Sequence, residues 1–386
     1  MQSLAELAPE MTTWRRELHA RPELAFAEHA TADFVAGKLA GLGLAVTQGL
    51  AKTGVVGTLH GTGNGPAIAL RADLDALPIH EQGDVPHRSV WDGRMHACGH
   101  DGHVAMLLGA AHHLAATRRF AGTVHFVFQP AEENEGGGRV MVEEGLFERF
   151  PVQSVYGLHN WPGLPAGSFA VHPGPVMAAF DVFEIVVRGQ GAHGAMPHLG
   201  VDPIVAAAQI VLALQTLVSR NVSPVGTAVL SVTEVKGGDT WNVIPDDVRL
   251  RGTTRSFQAD VQEMLENGLR RVAEGVASAA GATTEVRYER RYPATINNAT
   301  EAELCAAAAS DVVGAGNVAR DLPPSMASED FAFMLRARPG CYAWIGNGPA
   351  GEQAGLHGPR YDFNDAILPA GAAYWVRVVE RALPLR

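Results

Sequence analysis

The sequence predicts an α/β protein carrying an inserted α+β unit, and three observations carry that reading. Apolar runs with strand character at 66–70, 124–129 and 154–158 each give way to groups capable of chemistry: Asp75, then Glu132 and Glu133, then His159. Near residue 180 the texture changes to alternating strands such as Phe180–Arg188, whose period of two marks a sheet with one solvated face. From about residue 294 the first texture returns. The expected organisation is a catalytic domain over 1–179 and 294–386, interrupted by a satellite domain over 180–293.

Each element has its own signal. Leu4, Leu7, Met11, Trp14 and Leu18 recur at helical spacing, so the chain opens with an amphipathic helix over 4–18. A second helix near 27–42 follows Pro22 and is closed by Gly41 and Gly43. Strands at 54–59 and 66–70 flank the turn Gly61–Gly65, and Val104–Ala116 reads as a small-apolar helix. After the strand to Gln129 come a short helix near 139–146 and the strand 154–158. The insert reads strand 180–188, helix 202–218, strands 228–235 and 248–255, helix 259–280 and strand 283–288. The tail offers a helix at 301–313, another started by Ser328-Glu329-Asp330-Phe331, a strand at 341–345, a mobile glycine stretch at 346–355, and a helix at 369–382.

With 386 residues and 47% hydrophobic content, the chain can bury more than one ordinary core. A net charge of −11 without a basic cluster argues against nucleic acid and anionic membrane surfaces. Its three cysteines, Cys98, Cys305 and Cys341, are too few and scattered for a disulfide framework, which suits a reducing compartment. Met1–Glu6 lacks a basic start before an apolar core, so no secretory signal is expected. The longest apolar stretch, 204–218, is broken by Gln209 and Gln215 and reads as too short to span a bilayer. These features predict a cytoplasmic protein.

The chemistry concentrates in His96-Ala97-Cys98-Gly99-His100-Asp101-Gly102-His103. A thiolate and an imidazole two residues apart, with carboxylates at a strand's carboxyl end, form a zinc-type donor set. Cys98 and His100 alone equally fit a buried thiol and a turn histidine. With Glu133, His159 and His357 the candidate donors number five. That exceeds the roughly three a single catalytic ion needs and suggests two ions held close together. Glu132, beside Glu133, is then free to act as general base.

The segments 96–103, Gln129-Pro130-Ala131-Glu132-Glu133, Gly157-Leu158-His159-Asn160 and Gly191-Ala192-His193-Gly194-Ala195-Met196-Pro197-His198 resemble the M20 family of metallopeptidases. Within it they resemble the amidohydrolase branch of hippurate hydrolases, N-acyl-amino-acid deacylases and plant auxin-conjugate hydrolases. The resemblance runs from about Trp14 to Tyr374. It implies a di-metal aminopeptidase-like α/β domain with an inserted lid that often makes a dimer contact. It also implies that Cys98, His100, Glu133, His159 and His357 hold two divalent ions (zinc, nickel, cobalt or manganese), Cys98 bridging them. Glu132 would be the base and Asp75 the carboxylate that orients a ligand imidazole. His193 would steady the oxyanion, in relatives from a neighbouring subunit, and Asn242 and Arg255 would hold the substrate's carboxylate or carbonyl. Asn242 also fits a turn cap, and Arg255 a pairing within the sheet. The wider family usually has His where this chain has Asp73, and His103 reads as supporting rather than ligating.

The implied reaction is hydrolysis of an N-acyl amino acid to a carboxylic acid and a free amino acid. The alternatives are a di-metal dipeptidase or aminopeptidase, or a metal-dependent binding protein without turnover.

Overall fold

The computed structural model describes residues 3–349 and 354–385, so the start Met1-Gln2 and the middle of the glycine stretch lie outside the described residues. The chain forms two compact units. The first comprises 1–176, 295–323 and 330–386, and the second comprises 177–294 together with the short segment 324–329.

The first unit opens with α1 (Leu4–Ala20) and α2 (His29–Gly41), then strands β1 (Ala45–Leu50), β2 (Gly54–His60) and β3 (Gly63–Asp73). Next come α3 (His100–Thr117), β4 (Ala121–Gln129), α4 (Gly137–Glu143), α5 (Leu146–Arg149), β5 (Ser154–Pro162), β6 (Phe169–Ala170) and β7 (Gly174–Met177). The second unit holds β8 (Ala179–Arg188), β9 (Ala192–His193), α6 (Pro203–Thr216), β10 (Ala228–Lys236), β11 (Val243–Ile244), β12 (Asp247–Ser256), α7 (Ala259–Ala279) and β13 (Thr283–Tyr292). The chain then returns to the first unit through β14 (Thr295–Asn297), α8 (Ala299–Val313), β15 (Val318–Ala319), α9 (Phe331–Ala337), β16 (Gly340–Gly348) and α10 (Leu368–Ala382).

Eight strands of the first unit form one mixed sheet in the order β1-β2-β4-β3-β5-β16-β6-β15. β3 runs parallel to β4 and β5, and β5 parallel to β16. The carboxyl ends of these four central strands therefore lie on one side, which gathers Asp73, Glu132 and His159 there. α1, α3 and α10 pack together over one face, burying Met11, Trp14, Val104, Leu107, Trp375 and Val379. Fully burying each such side chain stabilises the fold by about 1.5–3 kcal/mol. α9 covers part of the other face, with Phe331 5.7 Å from Tyr342 of β16.

Two expectations change here. β1 had no sequence signal because it is a largely exposed edge strand whose pairing slips between Gln48 and Leu50, at Gly49. Residues 346–348, expected in a mobile stretch, continue β16 instead, because Gly346 and Gly348 pair with Trp161 and Pro162 of β5.

The second unit is a four-stranded antiparallel sheet, β10-β12-β8-β13, covered on one face by α6 and α7. Phe183, Ile185, Val187 and Leu250 point into that core, against Ile210, Leu214, Leu265 and Leu269. The opposite face is charged, with Glu184 accepting a 2.6 Å bond from Arg251 Nε. The helix begun by α6 is longer than its glutamines suggested. It continues through one wider turn, and Pro203–Asn221 spans 19 residues at a mean hydropathy of 1.4, long and apolar enough by length and composition to cross a membrane. A third of that window is buried, on the side facing the sheet.

Candidate metal centre

Local backbone geometry sets the first donors. Gly99 caps α3 at φ 93°, a left-handed conformation that lets the chain turn sharply between Cys98 and His100. His100 begins the helix, and its Nδ1 lies 2.8 Å from the Asp75 carbonyl oxygen, so the imidazole donates there and leaves Nε2 bare. That Nε2 is buried without a hydrogen-bond partner, 4.0 Å from Glu133 Oε1. His159 repeats the arrangement: Nδ1 donates to the Asn160 carbonyl at 2.6 Å, while Nε2 lies 3.4 Å from Cys98 Sγ. His357 has φ 62°, and its backbone N–H bonds to the Ala97 carbonyl at 2.8 Å, tying it to the cysteine loop. Its Nε2 stands 3.1 Å from Glu133 Oε1, close but not aligned as a hydrogen bond.

Cys98, Glu133 and His357 can bring donor atoms within 4.8 Å of one another, and so can His100, Glu132 and Glu133. Glu133 belongs to both groups. The fold thus brings together all five donors picked out by the sequence, with Glu132 beside them.

The Asp75 carboxylate bonds to the turn that follows β4. Its two carboxylate oxygens accept the backbone N–H groups of Glu132 (3.0 Å) and Glu133 (2.9 Å), fixing the turn that aims both glutamates. His100 bonds the Asp75 carbonyl at 2.8 Å, and its Nδ1 lies 3.3 Å from the carboxylate.

Two buried carboxylates near the site had no role predicted from the sequence. Asp73 accepts from Arg71 at 2.7 Å and bonds His103 Nδ1 at 2.6 Å, and it lies in a donor group with His100, His103 and His159. Asp330, read as part of an acidic helix start, instead accepts from Gln129 Nε2, the Gly138 N–H and Arg71 inside the first unit. The one available signal was that Asp73 ends an apolar strand; the partners come from residues far away in sequence.

The electrostatics suit a cation. Burial and the carboxylates of Glu133, Glu132 and Asp73 hold the Cys98 thiol well above its usual range. Burial disfavours charge on His100, yet Asp73, Asp75 and Glu133 outweigh it and raise the imidazole to about 10. Burial keeps His159 neutral, well below its usual range. The unpartnered His100 Nε2, an unpartnered oxygen of Glu133, and the Cys98 sulfur against the His159 imidazole, all within a negative field, fit a thiophilic divalent ion.

In the second unit, His193 of β9 is exposed and pairs with Val243 of β11, and the Asn242 carbonyl accepts the Gly194 N–H at 2.7 Å. The two candidates are therefore neighbours. The Arg255 guanidinium carbon lies over the Phe180 ring, 4.1 Å from its centroid, and the side chain donates to the carbonyls of Met326 (3.2 Å) and Thr254 (3.1 Å). One of these bonds, to Thr254 of β12, lies within the sheet, as a structural pairing would.

The model of peptidase family M20/M25/M40 matches residues 69–381. The chain belongs to that family. This M20 chain is 40% identical over 366 residues to an N-acetylcysteine deacetylase of Bacillus subtilis, covering 94% of each. It is 37% identical to the hippurate hydrolase of Campylobacter jejuni, covering 98% of each. A solved Bacillus subtilis protein, described as a dinuclear metal binding peptidase from the M20 family, matches with a TM-score of 0.85 at 36% identity, over 98% of this chain and 99% of that one. The M20 architecture of a catalytic domain with an inserted domain agrees with the mixed α/β fold.

Proposed function

We propose that this protein is a metal-dependent amidohydrolase that cleaves N-acyl amino acids to a carboxylic acid and a free amino acid. The observation that carries the reading is the clustering of five candidate donors with a second glutamate, Glu132, on the turn that carries Glu133. Names of the relatives, a deacetylase of N-acetylcysteine and a hydrolase of hippurate, support the substrate class.

Cys98, His100, Glu133, His159 and His357 would hold two divalent ions, with zinc, nickel, cobalt and manganese all compatible with this mixed donor set. Such ions lower the pKa of a water and polarise a carbonyl. Glu132, aimed by the Asp75-bound turn, accepts the water's proton and returns it to the leaving nitrogen. Asp75 holds that geometry. His193 is assigned to the developing oxyanion, and Asn242 and Arg255 to the substrate's carbonyl or carboxylate, on the chemistry of an exposed imidazole and a planar guanidinium fork. A binding protein would have no use for a base beside its ligands, and a dipeptidase is disfavoured by the Cys98-x-His100 pattern.

The catalytic role falls to 1–179 and 294–386, and the 180–293 insert serves as a lid through which two copies pair as a homodimer. A thiolate ligand requires a reducing compartment, which supports a cytoplasmic location.

The test is amino-acid release from hippurate and a panel of N-acetyl amino acids by protein loaded with each metal. Turnover of at least one substrate, abolished by chelation and restored by metal, is expected. Dipeptide cleavage with no N-acyl turnover under any metal would select the peptidase alternative.

A further inference from the structure

Asn160 follows His159 in β5 and is wholly buried, and its amide touches three different segments of the first unit. The Tyr361 hydroxyl donates to Asn160 Oδ1 at 2.7 Å. The Cys98 carbonyl, which can only accept, decides which way the amide faces: Nδ2 donates to it at 2.7 Å and approaches His103 Nε2 at 3.1 Å, which leaves Oδ1 for the Tyr361 hydroxyl. The flipped amide would set its oxygen against the Cys98 carbonyl, two acceptors in contact. The Asn160 backbone N–H also donates to His103 Nε2, at 3.0 Å.

With N–H groups aimed at its Nε2, His103 carries its proton on Nδ1 and donates it to Asp73 Oδ1 at 2.6 Å. Asp73 is held in turn by Arg71 at 2.7 Å. A directional chain therefore runs Tyr361, Asn160, His103, Asp73. Gly99 makes room for it, since a Cβ there would lie 2.3 Å from Asn160 Nδ2 and 2.4 Å from Tyr361 Oη. The loop with Cys98, the strand end with His159 and the turn that follows His357 all meet at this one amide.

We propose that Asn160, held by the Tyr361 hydroxyl, is a positioning residue for the metal centre. It holds the Cys98 sulfur against the His159 imidazole, and it occupies His103 Nε2 so that this histidine does not compete as a ligand. The inference rests on the ligand assignment above. Partners of this kind change metal affinity by roughly 10–100-fold when removed.

The full-length protein, stripped by a chelator, is titrated with cobalt(II) and followed by the thiolate-to-metal charge-transfer band and the visible bands. Bound metal is counted independently, and melting of the metal-free forms checks the fold. Tyr361→Phe and Asn160→Ala should bind roughly 10–100-fold more weakly and show a shifted charge-transfer band even at saturation, which a general loss of stability would not produce. The double variant should bind no more weakly than Asn160→Ala alone, because the hydroxyl acts only through the amide. Should Asn160→Ala not fold, Tyr361→Phe carries the test, since it removes one oxygen. Cys98→Ser is the control and should abolish the band. Wild-type affinity and spectrum in Tyr361→Phe and Asn160→Ala, with the band lost in Cys98→Ser, would overturn the positioning role and leave the ligand assignment standing. A band that persists in Cys98→Ser would overturn both.

Discussion

His19 is buried between two carboxylates, 2.8 Å from Asp101 and 3.2 Å from Glu81, beside Arg15. Burial alone would lower its pKa, but the bonds to Asp101 and Glu81 reverse that and raise it to about 9. A raised pKa stabilises the fold fully below the unfolded value of 6.5 and loses its effect as pH climbs through about 9. The stabilisation at stake is on the order of 3 kcal/mol. The urea midpoint of the wild type should therefore fall between pH 6.5 and 9.5, and His19→Gln should flatten that decline. An equal decline in the variant would contradict the assignment. His19 carried no sequence signal beyond its place on α1, because its partners are 62 and 82 residues away. Cys98, His100 and Glu133 were legible for the opposite reason: glycines and strand ends beside them announce sharp turns at a sheet edge. Asp73 and Asp330 looked like ordinary strand-end and helix-start carboxylates until long-range bonds gave them partners.

Among elements, those with strong periodicity, such as α1, α7 and β8, were legible nearly to their ends, since one face is buried along their whole length. β1 was not, because an exposed edge strand needs no apolar alternation. α6 carries a second message. Its core side is occupied, yet Leu212 is 74% exposed and Val205 52% exposed, beside the free edge of β10 with Val229 and Val235 also exposed. A helix that is apolar on its outward side and a strand with unpaired edge groups are both features that a second copy would cover. Leu212→Glu should convert the proposed homodimer to monomer in light scattering, while the metal content per chain stays unchanged. A wild-type mass for this variant would place the contact elsewhere.

For the whole molecule, the α/β class and the inserted unit were legible from a change in strand texture at 180 and its reversal at 294. The short segment 324–329, which joins the second unit through Ala178 N–H bonds to Ser325 (3.1 Å) and Ala327 (2.9 Å), was not, because it has no regular structure of its own. The mixed sheet and its loops bring together the five candidate donors, Glu133 after β4, His159 on β5, Cys98 and His100 at the start of α3 and His357 in a later loop, and the turn that carries Glu133 also carries Glu132. The account therefore stands most directly on one comparison, wild type against Glu132→Gln, each with bound metal counted and with kcat measured on the best N-acyl amino acid. Equal metal content with kcat reduced by roughly a hundredfold or more is the predicted result. Near-normal kcat at equal metal content would contradict it.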